Sequence, residues 1–171
     1  MSNHSLHQRL IALGEKLNFD VRTEVEASES AWVDIAWFDK RLPVGAVKTK
    51  KMRRAPVLPI VAFEVELNTG LNAKHVKGSV SNLNVLGALL GIVVIGNGNI
   101  DALAKKPAQL GKGREELQKI LRDRVERWIY TEAQPKGRVI VMLEDDVADW
   151  TGGIESQLTN KVVAGTQAVA Q

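Results

Sequence analysis

Apolar residues change period several times along this chain, and each change marks an element. Leu6, Leu10, Leu13 and Leu17 recur every three or four positions, which predicts an amphipathic helix over 5–17 with Ser2 or Ser5 as its cap. Over 19–27 apolar and polar residues alternate, the period of a half-buried strand, and Ser28-Glu29-Ser30 then turns the chain. A second strand is expected over 31–38 and a third over 58–67, the latter broken by Asn68-Thr69-Gly70. Asn72 is placed to cap a helix running to about residue 89, with Val76, Val80, Leu83 and either Leu86 or Leu90 as its buried stripe. A short, wholly apolar strand follows at 91–95 and ends at Gly96-Asn97-Gly98, where no good helix is expected to begin at once. Helical period returns over 114–130 through Leu117, Ile120, Leu121, Val125, Trp128 and Ile129, and after Gly137 the run 138–143 reads as one more strand.

Past Glu144 the pattern weakens, so 151–171 is expected to be a loose helix or tail outside a single domain of residues 1–150. Helix, three strands, helix, strand, helix, strand is an α/β order. Hairpin-like strands followed by strand-helix-strand crossovers imply a mixed β-sheet flanked by α-helices.

Composition narrows the chemistry. With 171 residues, 44% hydrophobic and 25% charged, the chain suits one globular domain. It has no cysteine, which removes disulfides, thiolate zinc sites and cysteine nucleophiles. His4, His7 and His75 are too scattered for a zinc site. The first residues do not resemble a secretory signal, and the longest apolar run, 85–95, is too short to span a bilayer; a cytoplasmic protein without membrane contact is the expectation. The net charge of +3 hides a strong asymmetry. The connection at 39–57 holds Lys40, Arg41, Lys48, Lys50, Lys51, Arg53 and Arg54 against Asp39, so it carries +6 and the rest of the chain −3. A basic connection of that kind suits contact with a phosphate backbone, which lysine and arginine neutralise without reading bases.

Three acids occupy unlikely positions. Glu64 and Glu66 stand two apart in the third strand, so they share a face with Ala62, about 7 Å from one another, while Val61, Phe63, Val65 and Leu67 take the other face. Asp34 interrupts the apolar run Trp32 to Phe38. Glutamate is a poor strand former, like charges on one face repel, and a half-buried aspartate needs a partner. Three carboxylates on neighbouring strands form a hard oxygen donor set suited to Mg²⁺ or Mn²⁺.

The order helix, strand, strand with Val33-Asp34-Ile35, strand with Phe63-Glu64-Val65-Glu66, then a helix with Lys77-Gly78-Ser79-Val80-Ser81-Asn82-Leu83 resembles the PD-(D/E)XK nuclease superfamily over roughly residues 5–95. The resemblance implies a restriction-endonuclease-like fold. It also implies Asp34 and Glu66 as metal ligands and Glu64 as a ligand or a bridge to a metal-bound water. Val33 stands where the family commonly has proline, and Glu66 occupies the lysine position, as in the Glu-X-Glu variants of some restriction enzymes. Lys77 is then the candidate to lie near the scissile phosphate, with Lys74 its competitor.

The resemblance implies a metal-dependent DNA endonuclease with Asp34, Glu64, Glu66 and Lys77 as catalytic residues. Lys48, Lys50, Lys51, Arg53, Arg54 and Lys74 are the expected nucleic-acid contacts. A homodimer or a larger complex is the expected assembly. The alternatives are a non-catalytic nucleic-acid-binding or regulatory module on the same fold, and a structural α/β protein whose acidic strand pair is merely exposed. Glu15, His75, Thr69 and Asn72 are expected to be surface, packing or turn residues, and Trp32, Trp37, Trp128 and Trp150 core or interface anchors.

Overall fold

The computed structural model describes residues 3–41, 59–133 and 136–168. Helix α1 (Asn3–Lys16) leads into a hairpin of β1 (Phe19–Ser28) and β2 (Ala31–Asp39), and β3 (Val61–Glu66) lies against β2. Next come α2 (Ala73–Leu86), β4 (Leu90–Ile95), α3 (Gly98–Ala104), α4 (Arg114–Glu132), β5 (Val139–Leu143) and α5 (Glu144–Ala168). The five strands form one sheet in chain order. β1, β2 and β3 pair antiparallel, whereas β3, β4 and β5 are parallel. The expected α/β class and mixed sheet are therefore present. The two parallel crossovers run through α2 and α4, whose apolar stripes need a sheet face to cover.

Local signals set the helix ends. Asn72 caps α2, its side-chain oxygen accepting from the backbone N–H of Lys74 at 2.9 Å and of His75 at 3.3 Å. Gly87 ends the helix in the left-handed conformation, φ 80°, which glycine adopts without a Cβ clash. Between α1 and β1, Asn18 takes φ 66°, a turn that asparagine tolerates better than most residues.

Each sheet face covers its own core. On one face α2, α3 and α4 contribute Val76, Val80, Leu83, Leu103, Leu121 and Val125 over Ala36, Ala62 and Val93. On the other, Leu6, Leu10 and Leu13 of α1 and Val147 of α5 cover Ile35, Trp37, Phe63, Ile92 and Val94. Trp37 stacks between Phe19 and Trp150, with centroids 5.5 and 5.8 Å away, and lies tilted against Phe63 at 4.8 Å. Gly14 makes this possible: a Cβ there would stand 2.6 Å from Trp37 Nε1.

Two expectations about elements are corrected. A seven-residue helix, α3, begins at Gly98, directly after β4. From Glu144 the chain forms a continuous helix to Ala168, so the expected boundary at 150 falls inside α5, and Trp150 and Ile154 pack on the aromatic core. Among the four tryptophans Trp37 is a core residue, Trp150 and Trp128 are partly buried against one core each, and Trp32 is 49% exposed. Among the described residues no helix is long and apolar enough to cross a membrane.

Candidate functional site

The register between β2 and β3 runs from Trp37↔Val61 to Ile35↔Phe63 and stops there. Had it continued, Asp34 would face Glu64 and Val33 would face Val65. Side chains replace the missing ladder. Asp34 Oδ2 accepts the Val65 N–H at 2.7 Å. Asn82 of α2 donates from Nδ2 to the Trp32 carbonyl at 3.2 Å and to Glu64 Oε1 at 2.9 Å. On the other side of β2 the ladder with β1 also skips a pair, between Thr23↔Ile35 and Val25↔Val33, where Glu24 takes φ 50°. That left-handed backbone is costly for a non-glycine residue and sits directly opposite Asp34 in register. The sheet thus departs from regular pairing on both sides of Asp34.

Into this wedge the acids converge from one face. Glu64 is 7% exposed and hydrogen-bonds the Asp34 side chain. Loss of hydration raises its pKa from 4.5 to about 8; the Asn82 amide opposes the rise, and the charges of Asp34 and Glu66 add to it. Glu64 therefore favours its protonated form near neutral pH. Glu66 turns toward α2, where Ser79 Oγ donates to its Oε1 at 2.5 Å and also lies 3.2 Å from the His75 carbonyl. The Glu66 backbone is fixed as well, its carbonyl accepting from Gly96 N at 3.0 Å and from Asn99 Nδ2 at 3.2 Å.

Asp34, Glu64 and Glu66 are thus brought together by strand alternation and by α2. In this arrangement, however, no group of three or more histidine, aspartate or glutamate side chains among the described residues is set to hold a metal ion. One oxygen of each carboxylate is instead engaged by Val65 N–H, Asn82 or Ser79.

The basic candidates fare differently. Lys77 is not brought to the acids: its ammonium pairs with Glu132 of α4 at 2.6 Å. Two residues of helix are about 200° of rotation, which sets Lys77 on the opposite side of α2 from Ser79. Lys74 lies exposed in the first turn of α2. Lys48, Lys50, Lys51, Arg53 and Arg54 fall outside the described residues. From the same connection, Lys40 donates to Asn18 Oδ1 at 3.1 Å and Arg41 pairs with Asp39. Glu15 is exposed on α1, across the sheet from the acids, and His75 is exposed on α2.

Sequence reasoning passed over Ser79, Asn82 and Asn99. Ser79 and Asn82 did leave a signal: small polar residues at helical spacing beside the apolar stripe of Val76, Val80 and Leu83. No protein-family model matches the chain, and no curated protein and no solved structure matches it.

Proposed function

We propose that the chain is a metal-dependent nuclease of restriction-endonuclease-like fold, hydrolysing phosphodiester bonds of DNA at the wedge between β2 and β3. The observation that carries this reading is the convergence of Asp34, Glu64 and Glu66 where the β2–β3 ladder stops, a geometry in which burial and acidic neighbours raise the Glu64 pKa. Such a set is short of positive charge. Its donors, all carboxylate oxygens, suit a hard divalent cation, whose charge would relieve the crowding that raises the Glu64 pKa. Asp34, Glu64 and Glu66 would hold Mg²⁺ or Mn²⁺. When bound, the ion would supply a water of lowered pKa and stabilise negative charge on the phosphate.

The remaining work falls to this chain's own residues. Asn82 fixes the Glu64 carboxyl, and Ser79 fixes Glu66, so both acids are oriented by α2 before substrate arrives. Binding of such an ion would be coupled to release of the Glu64 proton to solvent, since the raised pKa of Glu64 comes from burial and acidic neighbours. Asp34 keeps the strands apart at the site through Val65 N–H. In this reading the basic segment 39–57 supports the backbone of the nucleic acid.

The test is cleavage of supercoiled, linear, branched and single-stranded DNA with Mg²⁺ or Mn²⁺, beside a Glu66→Ala variant. Metal-dependent cutting that the variant lacks is the expected result, and no cutting of any substrate would overturn it. A second reading, a non-catalytic nucleic-acid-binding module, is favoured by one feature: among the described residues no lysine or arginine donates to Asp34, Glu64 or Glu66. DNA binding without cutting would select it.

A further inference from the structure

Behind Glu66 lies a second polar feature that the proposed reaction does not use. A cavity of about 30 Å³ opens at the carboxyl ends of β3 and β4, lined by Thr69, Asn99, Lys106 and Arg124 with Leu103 and Leu121 as apolar wall. Asn99 is 4% exposed; its Nδ2 is committed to the Glu66 carbonyl, and its Oδ1 has no partner. A buried amide oxygen is seldom left that way. Thr69 is held close by, since a Cβ on Gly98 would stand 3.2 Å from its Cγ2.

The cations here are also set apart from their neighbours. On α4, Arg114 pairs with Asp145, Lys119 with Asp123 and Arg122 with Asp146, and Arg127 donates to the Asp123 carbonyl. Half-buried Arg124 pairs with no carboxylate among the described residues, and neither does Lys106. Two unpaired cations, a threonine hydroxyl and an amide oxygen in want of a donor converge on one small opening.

We infer that this opening is a phosphate-binding subsite. Arg124 and Lys106 take the charge at its mouth, Thr69 donates to a phosphate oxygen, and the cavity admits a water or hydroxyl that donates to Asn99 Oδ1. The link to the acidic cluster is short, because Asn99 bonds the backbone of Glu66 itself. The chemistry recognises phosphate; its assignment to a nucleic-acid backbone rests on the nuclease reading, with the subsite gripping a phosphate beside the one attacked.

The experiment separates these two claims. Binding of a fluorescent 20-base-pair duplex is measured by anisotropy in EDTA, over a salt series, for the wild type, Arg124→Gln and Lys106→Gln. Thermal stabilisation by inorganic phosphate is measured on the same proteins, whose folding is checked by circular dichroism. The expected result is weaker duplex binding in both variants, with the slope of log K against log salt reduced by about 1 for each lost contact, and loss of the phosphate stabilisation. If phosphate stabilises the wild type alone and no duplex binds, the subsite stands and its nucleic-acid source falls. Unchanged duplex affinity, unchanged slope and equal response to phosphate in all three proteins would overturn the subsite, and would leave metal-dependent cleavage untouched as a separate result. Lys106 is exposed, so its variant reads the subsite even where replacement of Arg124 disturbs α4.

Discussion

β2 and β3 present two opposite surfaces from the same few residues. Toward α1 and α5 they offer Ile35, Trp37, Phe63 and Val65, which close into an aromatic cluster with Trp150. Toward α2 they offer Asp34, Glu64 and Glu66, where burial raises the pKa of Glu64 and the β2–β3 ladder is interrupted. The contrast teaches a division of labour at single-residue resolution: odd positions of β3 hold the strand in place so that even positions can sit where they are energetically unwelcome. Regular pairing resumes at Ile35↔Phe63, the pair that also anchors the aromatic side.

The sharpest way to break this comparison is to remove a residue from each side. Phe63→Ala is expected to cost about 3–5 kcal/mol of stability, as large-to-small changes in packed cores do, seen as a lower denaturant midpoint. Glu66→Ala should leave the midpoint nearly unchanged, while cleavage falls by more than the ~100-fold typical of losing only a supporting partner of a metal ligand. If Glu66→Ala destabilised as much as Phe63→Ala, the polar face would be structural and the division false.

Glu64 sharpens the comparison through pH. Its folded-state pKa of about 8 exceeds its ordinary value of 4.5, so the folded protein holds this proton more tightly than the unfolded chain. The stability it contributes is complete below about pH 4.5 and is lost as pH rises through about 8. The metal-free wild type should therefore lose melting temperature across that window. Glu64→Gln should not, and above pH 8 should be the more stable protein by roughly 1–3 kcal/mol. Added Mg²⁺ should reverse the wild-type trend. Smaller effects come from α2: Ser79→Ala is expected to slow cleavage about 10-fold through misplacement of Glu66, whereas Lys77→Ala should alter neither cleavage nor melting, since its ammonium faces Glu132.

Much of the scaffold could be read before any coordinates. The alternation Val61 to Leu67 places each side chain of β3 on the face it occupies, and Asn72 and the stripe Val76, Val80, Leu83 define α2 because capping and helical period are local physics. The three acids were legible for the same reason, as charges breaking an apolar period. Helix α3 was not, since seven residues starting Gly98-Asn99 carry too little periodicity to outweigh their turn-like composition. Gly152 and Gly153 hid the continuity of α5, although Val147, Trp150 and Ile154 repeat at helical spacing. The direction of Lys77 was not legible, because a helix turns a side chain through about 200° within two residues and here it faces Glu132. The partners of the acids, Ser79 and Asn82, depend on how α2 lies across the splayed strands, a tertiary fact.

The backbone amide of Val65 is hydrogen-bonded to a carboxylate rather than to another strand. Its hydrogen-exchange rate consequently reads the state of Asp34 directly. Any cation or substrate that draws Asp34 away must release that one amide to solvent, while the adjacent amides of Glu64 and Glu66, which alternate to the β4 side in the pairs Glu64↔Val93 and Glu66↔Ile95, stay protected. The fold carries its own spectroscopic label for site occupancy, at a single N–H.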